Sequence, residues 1–191
     1  FTSSALLALL VTIMSKPVQS IEDGRKAMHT EAAAIRTAAD RLDASFERAV
    51  TILLGTESKL IFCGIGKSGH VAGKLAATFS SIGIPSFFCH PSDALHGDLG
   101  QIEKKDILII FSYSGNTSEL TNMLKYANRF RIKIIGIASK AESVLLKASD
   151  IKLKLPKVRE ADLIGMVPTS STTISLLIGD CLATTIMSQK R

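Results

Sequence analysis

Five short apolar runs, with helix-like segments between them, constrain the fold more than any other feature of this sequence. Each run has four to six residues and is rich in branched side chains, which favours a strand over a helix. The runs are Lys59–Cys63, Ser86–Cys89, Ile107–Phe111, Ile132–Ile137 and Ile151–Leu155, and the helical patterns are Val71–Ile82, Ser118–Phe130, Ser143–Ala148 and Thr172–Met187. Strands that alternate with helices indicate βαβ units and a parallel sheet covered on both faces.

A long helical region precedes the first of these strands. Residues 21–54 are rich in Ala, Arg and Glu, with apolar side chains at helical spacing, and Gly55 is expected to end the helix. No Pro/Ser-rich linker and no long repeat divides the chain, and about 100–200 residues is a usual domain size. We therefore expect residues 21–191 to form one α/β domain. Its predicted architecture is a three-layer αβα sandwich with a five-stranded parallel sheet, flavodoxin-like or Rossmann-like.

The first 20 residues form an apolar segment in front of this domain. Residues 1–14 resemble the apolar core of a signal peptide, but no basic stretch precedes them and no convincing cleavage site follows. They are also too short to span a bilayer. Met14 is a plausible start, which would place residues 1–13 outside the native protein; otherwise the segment is a helix that packs on something else, such as another subunit. We expect a cytoplasmic protein with no membrane partner.

The charge distribution points to a small anionic ligand and away from nucleic acid. The chain has 23 Lys and Arg against 17 Asp and Glu, but these are dispersed, and the densest basic run, Lys125–Lys133, is predicted to be a helix end followed by a strand. A mild positive field attracts anionic small molecules. The three cysteines, Cys63, Cys89 and Cys181, have no spacing typical of a metal site or a disulfide framework. Cys63 and Cys89 lie in apolar strand-like runs, so we expect them to be buried thiols in a reducing compartment.

The loop after the first strand, Gly64–Gly69, has the pattern G-x-G-x-x-G between a strand and a helix. Dinucleotide-binding folds share this pattern, but they also place an acidic residue at the end of the second strand. Here that strand ends in Cys89 and His90. The loop is not a P-loop either, because that motif needs a glycine where this chain has Ile61. Lys67 within the loop suits a phosphosugar better than a pyrophosphate.

Small hydroxyl residues crowd the loop after the third strand. Ser112, Ser114 and Thr117 are spaced so that their hydroxyls can converge on the start of the next helix. Backbone N–H groups are unpaired there and the helix dipole is positive. Gly115 lets the chain turn tightly and approach a ligand closely. One hydroxyl is enough for an ordinary helix N-cap, so three hydroxyls with a glycine favour a phosphate-binding loop.

Two further loops carry ionisable side chains. His90 and His96, with two carboxylates near them, could form a metal site or a sugar-binding wall. Two histidines are weak evidence for zinc, which usually takes three or four ligands. His96 is the better candidate for a ligand contact, and a histidine that caps a loop is the alternative. Glu160 follows the last strand, where a carboxylate could act as a base.

Five stretches, taken together, carry a family resemblance. GIGKSGH, FFCHPSDALHGDLG, FSYSGNTSEL, READ and PTSSTT…GDCLA follow in this order between about Ile52 and Met187. They resemble the sugar isomerase (SIS) domain of bacterial arabinose-5-phosphate isomerases. The resemblance implies interconversion of D-ribulose 5-phosphate and D-arabinose 5-phosphate, which supplies Kdo for lipopolysaccharide or related capsule sugars. It also implies a homotetramer with its sites at subunit interfaces.

By resemblance, the site comprises three catalytic residues, seven substrate-binding residues and one residue that can bind inhibitory zinc. They are Lys67, Glu119 and Glu160; Gly66, Ser68, His96, Ser112, Ser114, Gly115 and Thr117; and His90. We expect Glu160 to act as the base, Lys67 to stabilise the oxyanion and Glu119 to position Lys67 or a substrate hydroxyl. This aldose–ketose chemistry moves one proton between adjacent carbons and requires no redox or metal cofactor.

Departures from the family pattern leave alternatives open. Asp162 and Leu163 stand where the family has Cys-Pro, and the Asp162 carboxylate is expected to raise the pKa of Glu160 if the two groups are close in space. The family's further catalytic histidine and its common tandem CBS domains do not occur before Arg191, so we expect either a truncated chain or a form with the SIS domain alone. The alternative functions are a phosphosugar sensor without turnover and an isomerase of another phosphosugar, such as a hexulose phosphate.

Overall fold

The computed structural model describes residues 20–94 and 96–190, and the N-terminal segment predicted to be apolar lies almost wholly outside them. The chain enters through helices α1 (Ser20–Ala39) and α2 (Ala44–Leu54). One helical region was predicted over residues 21–54, but it divides because Asp43 caps α2, its carboxylate accepting the Ser45 N–H at 2.8 Å. Gly55 ends α2 as predicted.

The rest of the chain alternates strands and helices. In order, the elements are β1 (Leu60–Gly64), α3 (Lys67–Ser81), β2 (Ser86–Phe88), α4 (Pro91–Ala94), a 3-10 helix (Asp98–Gln101), β3 (Ile107–Phe111), a 3-10 helix (Ser118–Leu120), α5 (Thr121–Phe130), β4 (Lys133–Ala138), α6 (Val144–Ala148), β5 (Ile151–Lys154) and α7 (Ser170–Gln189). All five predicted strands are present, and the four helices predicted after β1 are present too. The short helices between β2 and β3 were not predicted.

The predicted three-layer architecture is confirmed. The strands are all parallel and lie in the order β2-β1-β3-β4-β5, which is the flavodoxin-like order. Alternate side chains face opposite sides, so that Phe62 packs in one core and Ile61 in the other. The first core lies under α1, α2, α3 and α7, and the second under α4, α5 and α6. Because both faces are covered, β1 and β3 are buried along their whole length.

The strand register brings the predicted site loops to one edge of the sheet. Gly64 at the end of β1 pairs with Phe111 at the end of β3, and Phe111 pairs with Ile137 of β4. The loops after these strands therefore start at the same level. The order in which strands are added to the sheet also reverses between β1 and β3. In open α/β sheets, ligands bind in the crevice at such a topological switch point.

A buried carboxylate stabilises the opposite edge of the sheet. Asp106 is 1 % exposed and accepts the Glu103 N–H at 2.7 Å, the Ser58 hydroxyl at 2.6 Å and the Lys59 ammonium at 3.0 Å. Burial alone would raise the pKa of Asp106, but these donors outweigh burial and lower it. The starts of β1 and β3 are thereby joined.

Helix α7 combines length with low polarity. Among the described residues, Ser170–Gln189 is the one helix whose length and composition would suffice to cross a membrane. Half of its apolar window is buried within the domain, where Ile174, Leu182 and Ile186 pack in the first core.

Candidate functional site

The loop after β3 forms a compact hydroxyl cluster. Ser112 Oγ lies 2.8 Å from Thr117 Oγ1 and accepts the Gly115 N–H at 3.1 Å. Ser114 Oγ accepts the Asn116 N–H at 3.3 Å. Thr117 occupies the N-cap of the following 3-10 helix, yet its side chain makes no capping bond. The Ser112 and Thr117 hydroxyls contact each other instead of the helix end, and this favours a ligand-binding loop over an ordinary cap.

Two residues of this loop fix it against α6. Gly115 has a φ of 68°, and a Cβ at this position would overlap the side chain of Ser143. The Gly115 carbonyl accepts the Leu145 N–H at 3.0 Å, and Asn116 Oδ1 accepts the Val144 N–H at 3.0 Å. A loop held at these points is preorganised, which lowers the cost of ordering it around a ligand.

The loop after β1 leads directly into α3, and the first turn of α3 packs very closely against the end of β1. A Cβ at Gly64 would lie 2.7 Å from the Ser68 carbonyl oxygen, and a Cβ at Gly69 would lie 2.9 Å from that of Gly64. These two glycines are therefore explained by packing. Gly66, with a φ of 56°, is exposed at the N-cap of α3, which has no side-chain capping bond. This leaves first-turn N–H groups of a 15-residue helix able to bind an anion.

The structure does not bring Lys67 and Glu119 into contact. Lys67 is exposed at the first residue of α3 and forms no ion pair with any residue that the structure describes. Glu119 is exposed as well, and its Oε2 accepts the Ser118 hydroxyl at 2.7 Å, a bond that lowers the pKa of Glu119. Within a single chain Lys67 and Glu119 form no ion pair. The expectation that Glu119 positions Lys67 therefore stays a prediction.

The two candidate histidines follow β2 and differ in exposure. His90 is half-buried beside Phe88, and its Nδ1 accepts the Ser92 N–H at 3.2 Å. A zinc ion at Nε2 would break this bond, because neutral imidazole has only one unprotonated nitrogen. Over residues 20–94 and 96–190, no three His, Cys, Asp or Glu side chains form a cluster able to hold a metal. His96 is exposed, and both the zinc and the substrate-contact assignments stay predictions.

The cysteines near the sheet are buried, as predicted. Cys63 lies in β1 and Cys89 just after β2. Burial raises the pKa of both thiols, that of Cys89 to about 11 with a contribution from the Asp98 and Asp93 charges. Both are therefore protonated thiols near neutral pH, which gives them no nucleophilic role.

Glu160 accepts three hydrogen bonds through a single oxygen. Its Oε2 accepts the Thr169 N–H at 2.8 Å, the Thr169 hydroxyl at 3.1 Å and the Ser171 N–H at 3.2 Å. Thr169 is the N-cap residue of α7 but makes no side-chain capping bond itself. The Glu160 carboxylate thus caps α7 from the segment after β5. All three of these bonds end on Oε2.

The ionisation of Glu160 differs from the expectation. Burial would raise its pKa, but the hydrogen bonds from Ser171 and Thr169 outweigh burial and lower it. The prediction that Asp162 raises this pKa is wrong. Asp162 instead accepts the Met166 N–H at 2.9 Å, and its own pKa is lowered. Glu160 is therefore a carboxylate at neutral pH.

Glu160 lines a cavity of about 560 Å³ together with residues of α1 that were not predicted. These are Asp23, Lys26 and Thr30, and Arg159 also lines the cavity. The three α1 residues are three and four positions apart, which places them on one helical face, and this spacing is the signal that could have identified them. Neither the hydroxyl loop nor the loop after β1 contributes to this cavity.

A cluster of hydroxyls, a helix N-terminus without a side-chain cap and an ionised carboxylate thus lie at one edge of a flavodoxin-like sheet. The hydroxyl loop and the open N-terminus of α3 flank the switch point, and the segment that carries Glu160 follows β5 at the same edge. These features define an α/β domain suited to bind a phosphorylated small molecule.

The chain belongs to the SIS domain family, whose profile matches residues 53–185. The resemblance inferred from the motifs is confirmed by similarity to the arabinose 5-phosphate isomerase KdsD of two organisms. The Pseudomonas aeruginosa protein is 37 % identical over 91 % of this chain and 53 % of its own length. The Escherichia coli K12 protein is 40 % identical over 76 % of this chain and 44 % of its own length. The chain therefore spans about half the length of the curated relatives it matches.

A solved structure matches nearly the whole fold. The protein c3406 of E. coli CFT073, in complex with A5P, superposes with a TM-score of 0.84 at 33 % identity. The match covers all of this chain and 94 % of that one.

Proposed function

We propose that this chain interconverts D-ribulose 5-phosphate and D-arabinose 5-phosphate. The observation that carries the proposal is an ionised, half-buried Glu160 at the same sheet edge as a rigid hydroxyl loop. An aldose–ketose isomerase needs both a base and an anion anchor that orients the sugar. The names of the KdsD relatives and the complex of c3406 with A5P support this substrate.

The hydroxyl loop would hold the phosphate. Ser112, Ser114 and Thr117 supply hydroxyl donors, and Gly66 and Ser68 supply donors at the start of α3 across the switch point. Their bonds to a phosphate are charge-assisted and therefore stronger than bonds between neutral groups. Since the loop is fixed to α6, the phosphate fixes the rest of the sugar in turn. His96 would contact the substrate from the loop after β2.

Glu160 would carry the proton between the two reacting carbons. Its Oε1 removes the proton from C2 of the aldose, and the electrons of that C–H bond form the C1=C2 double bond of an enediolate. As that double bond forms, the π electrons of the C1 carbonyl move to O1. The same carboxyl then returns the proton to C1, and the hydroxyl proton of O2 passes to O1, so that C2 becomes the ketone and C1 a CH₂OH group. Lys67 would stabilise the oxyanion, and Glu119 would position a substrate hydroxyl or assist ring opening. A positioned base of this kind typically contributes about 10²–10⁴-fold.

We further propose that the site is completed between subunits of a homotetramer. In one chain Lys67 and Glu119 are both exposed, and Lys67 forms no ion pair with any residue that the structure describes. Large apolar side chains are also exposed, with Met28 of α1 75 % exposed and Leu163 near Glu160 84 % exposed. Association would cover such residues. Light scattering should give a tetramer mass, and a fully active monomer would exclude a shared site.

One observation favours a second candidate, a phosphosugar sensor without turnover. The cap that Glu160 provides to α7 explains this carboxylate without any chemistry. A sensor would bind a phosphosugar at the hydroxyl loop and leave it unchanged.

A substrate panel separates these functions. The protein should convert ribulose 5-phosphate to arabinose 5-phosphate faster than it converts hexulose or heptulose phosphates, and activity should persist in the presence of a metal chelator. Saturable binding without any conversion would favour the sensor. Faster conversion of another phosphosugar would identify that sugar as the substrate instead.

We also propose that the protein acts in the cytoplasm, where it supplies arabinose 5-phosphate for Kdo or capsule sugars. The buried free thiols of Cys63 and Cys89 fit a reducing compartment.

A further inference from the structure

Tyr113 contacts both halves of the candidate site. It lies within the hydroxyl loop, between Ser112 and Ser114. Its carbonyl oxygen accepts the N–H of Ser139 at 2.9 Å and the hydroxyl of Ser139 at 2.7 Å. Ser139 follows β4, so the backbone of Tyr113 is fixed to the neighbouring loop and belongs to the anion-binding half.

The side chain of Tyr113 reaches the segment that carries Glu160. Its hydroxyl donates to the Pro156 carbonyl at 3.1 Å and accepts the Val158 N–H at 3.0 Å. Val158 lies two residues before Glu160. Both residues come after Leu155, whose N–H donates to the Ala138 carbonyl in the last hydrogen bond between this segment and β4. The Tyr113 hydroxyl therefore supplies the partner that the sheet no longer provides to these two backbone groups.

Glu160 is consequently fixed from two sides. Its side chain is bound to the N-terminus of α7, and the backbone before it is bound to Tyr113. Burial and the charge of Glu160 raise the pKa of Tyr113, although the Val158 N–H opposes them, so the phenol stays protonated and able to donate.

We propose that Tyr113 is a positioning residue that sets the separation between the phosphate anchor and the Glu160 carboxylate. This role rests on the proposed isomerase function, because it assumes that the hydroxyl loop holds a phosphate and that Glu160 moves the proton. A shift of about 1 Å in a reacting group can cost about 10²-fold in rate. Loss of the hydroxyl would release the segment after β5 and leave Ser112, Gly115 and Thr117 in place.

The chain contains a matched control for this role. Tyr113→Phe removes one hydroxyl and keeps the ring, which is half-buried and packed against the first core. Tyr126 is the other of the two tyrosines in the sequence. It lies in α5 against the second core, and its hydroxyl donates to the Ile102 carbonyl at 3.5 Å. Tyr126→Phe is therefore the same chemical change away from Glu160.

Steady-state kinetics with ribulose 5-phosphate give the first readout. Tyr113→Phe should lower kcat by about 10- to 100-fold, while the inhibition constant of inorganic phosphate, which reports on the hydroxyl loop, stays at the wild-type value. Tyr126→Phe should change neither quantity. If kcat is unchanged in Tyr113→Phe, or if phosphate inhibition weakens in parallel with kcat, Tyr113 does not act by positioning Glu160.

The titration of Glu160, followed by carboxyl NMR, gives a readout that needs no turnover. In the wild type and in Tyr126→Phe, the bonds from Thr169 and Ser171 should keep the pKa of Glu160 low. In Tyr113→Phe the released segment should lengthen these bonds, and the pKa should rise. An unchanged titration overturns the proposal even if kcat falls. If the wild type converts no phosphosugar at all, the isomerase function fails, and this titration still decides whether Tyr113 positions Glu160.

Discussion

Replacement of Gly115 by alanine perturbs the hydroxyl loop at the point where it contacts α6. Gly115 has a φ of 68°, a left-handed conformation that costs an L-residue about 1–2 kcal/mol. The added methyl group would also overlap the Ser143 side chain and lie 3.1 Å from Ala138 Cβ. Both neighbours are buried, so neither can move aside easily. Gly165 provides the control, since its φ is 69° and a Cβ there would have no heavy atom within 4 Å.

Replacement of either glycine by alanine therefore carries the same cost of a left-handed backbone. Only the added methyl group at Gly115 also overlaps neighbouring side chains. Overpacking of a buried position typically costs about 1–3 kcal/mol. Gly115→Ala should destabilise the fold by about 2–5 kcal/mol, against about 1–2 kcal/mol for Gly165→Ala. The loop can relieve the overlap only by moving the hydroxyls of Ser112 and Thr117. A hydrogen bond to a charged group contributes about 1.5–3 kcal/mol, so loss of one should weaken phosphosugar affinity by roughly 10- to 100-fold.

Calorimetric titration of both variants with a phosphosugar measures this difference, and thermal unfolding confirms that both are folded at the temperature used. Gly165→Ala should bind like the wild type. If Gly115→Ala is folded and binds with the affinity of Gly165→Ala, the hydroxyl loop is not the phosphate anchor.

Two further variants test the base and the buried carboxylate. Glu160→Gln keeps an oxygen that can cap α7, so phosphosugar binding should persist at a stability cost of about 1 kcal/mol, while kcat falls about 10²–10⁴-fold; retained turnover would limit Glu160 to capping. The folded-state pKa of Asp106 lies below its unfolded value, so its stabilisation is full above the unfolded pKa and is lost as pH falls through the folded pKa. Asp106→Asn should therefore weaken the dependence of the free energy of unfolding on acid pH, and it should lower that free energy by about 1.5–3 kcal/mol near neutral pH. The control Asp150→Asn, which breaks a surface ion pair with Lys133, should lower it by about 0.2–1 kcal/mol. Urea unfolding across this pH range measures both, and an acid dependence that survives in Asp106→Asn would contradict the assignment.

The strands could be predicted closely because their signal is local. Runs such as Ile107–Phe111 are apolar throughout, since both faces of the sheet are covered, and they are too short for helices. The break between α1 and α2 was missed for the opposite reason. Apolar residues continue at helical spacing through it, and only the capping bond of Asp43 ends the pattern.

The candidate site was predictable only in part. Ser112 and Thr117 are five residues apart, so their convergence could be expected from the sequence. Tyr113 could not be recognised in this way, because its hydroxyl partners are 43 and 45 residues further along the chain. The lowered pKa of Glu160 likewise depends on donors that follow it by nine and eleven residues across an irregular loop.

Proton exchange in heavy water tests the isomerase proposal most directly. The wild-type protein is incubated with arabinose 5-phosphate in D₂O, and the proton at C2 is followed by NMR together with any ribulose 5-phosphate formed. Proton abstraction by Glu160 through an enediolate predicts that the C2 signal disappears as the ketose accumulates, and that Glu160→Gln suppresses both. An unchanged C2 signal in the presence of saturable phosphosugar binding would contradict the isomerase function.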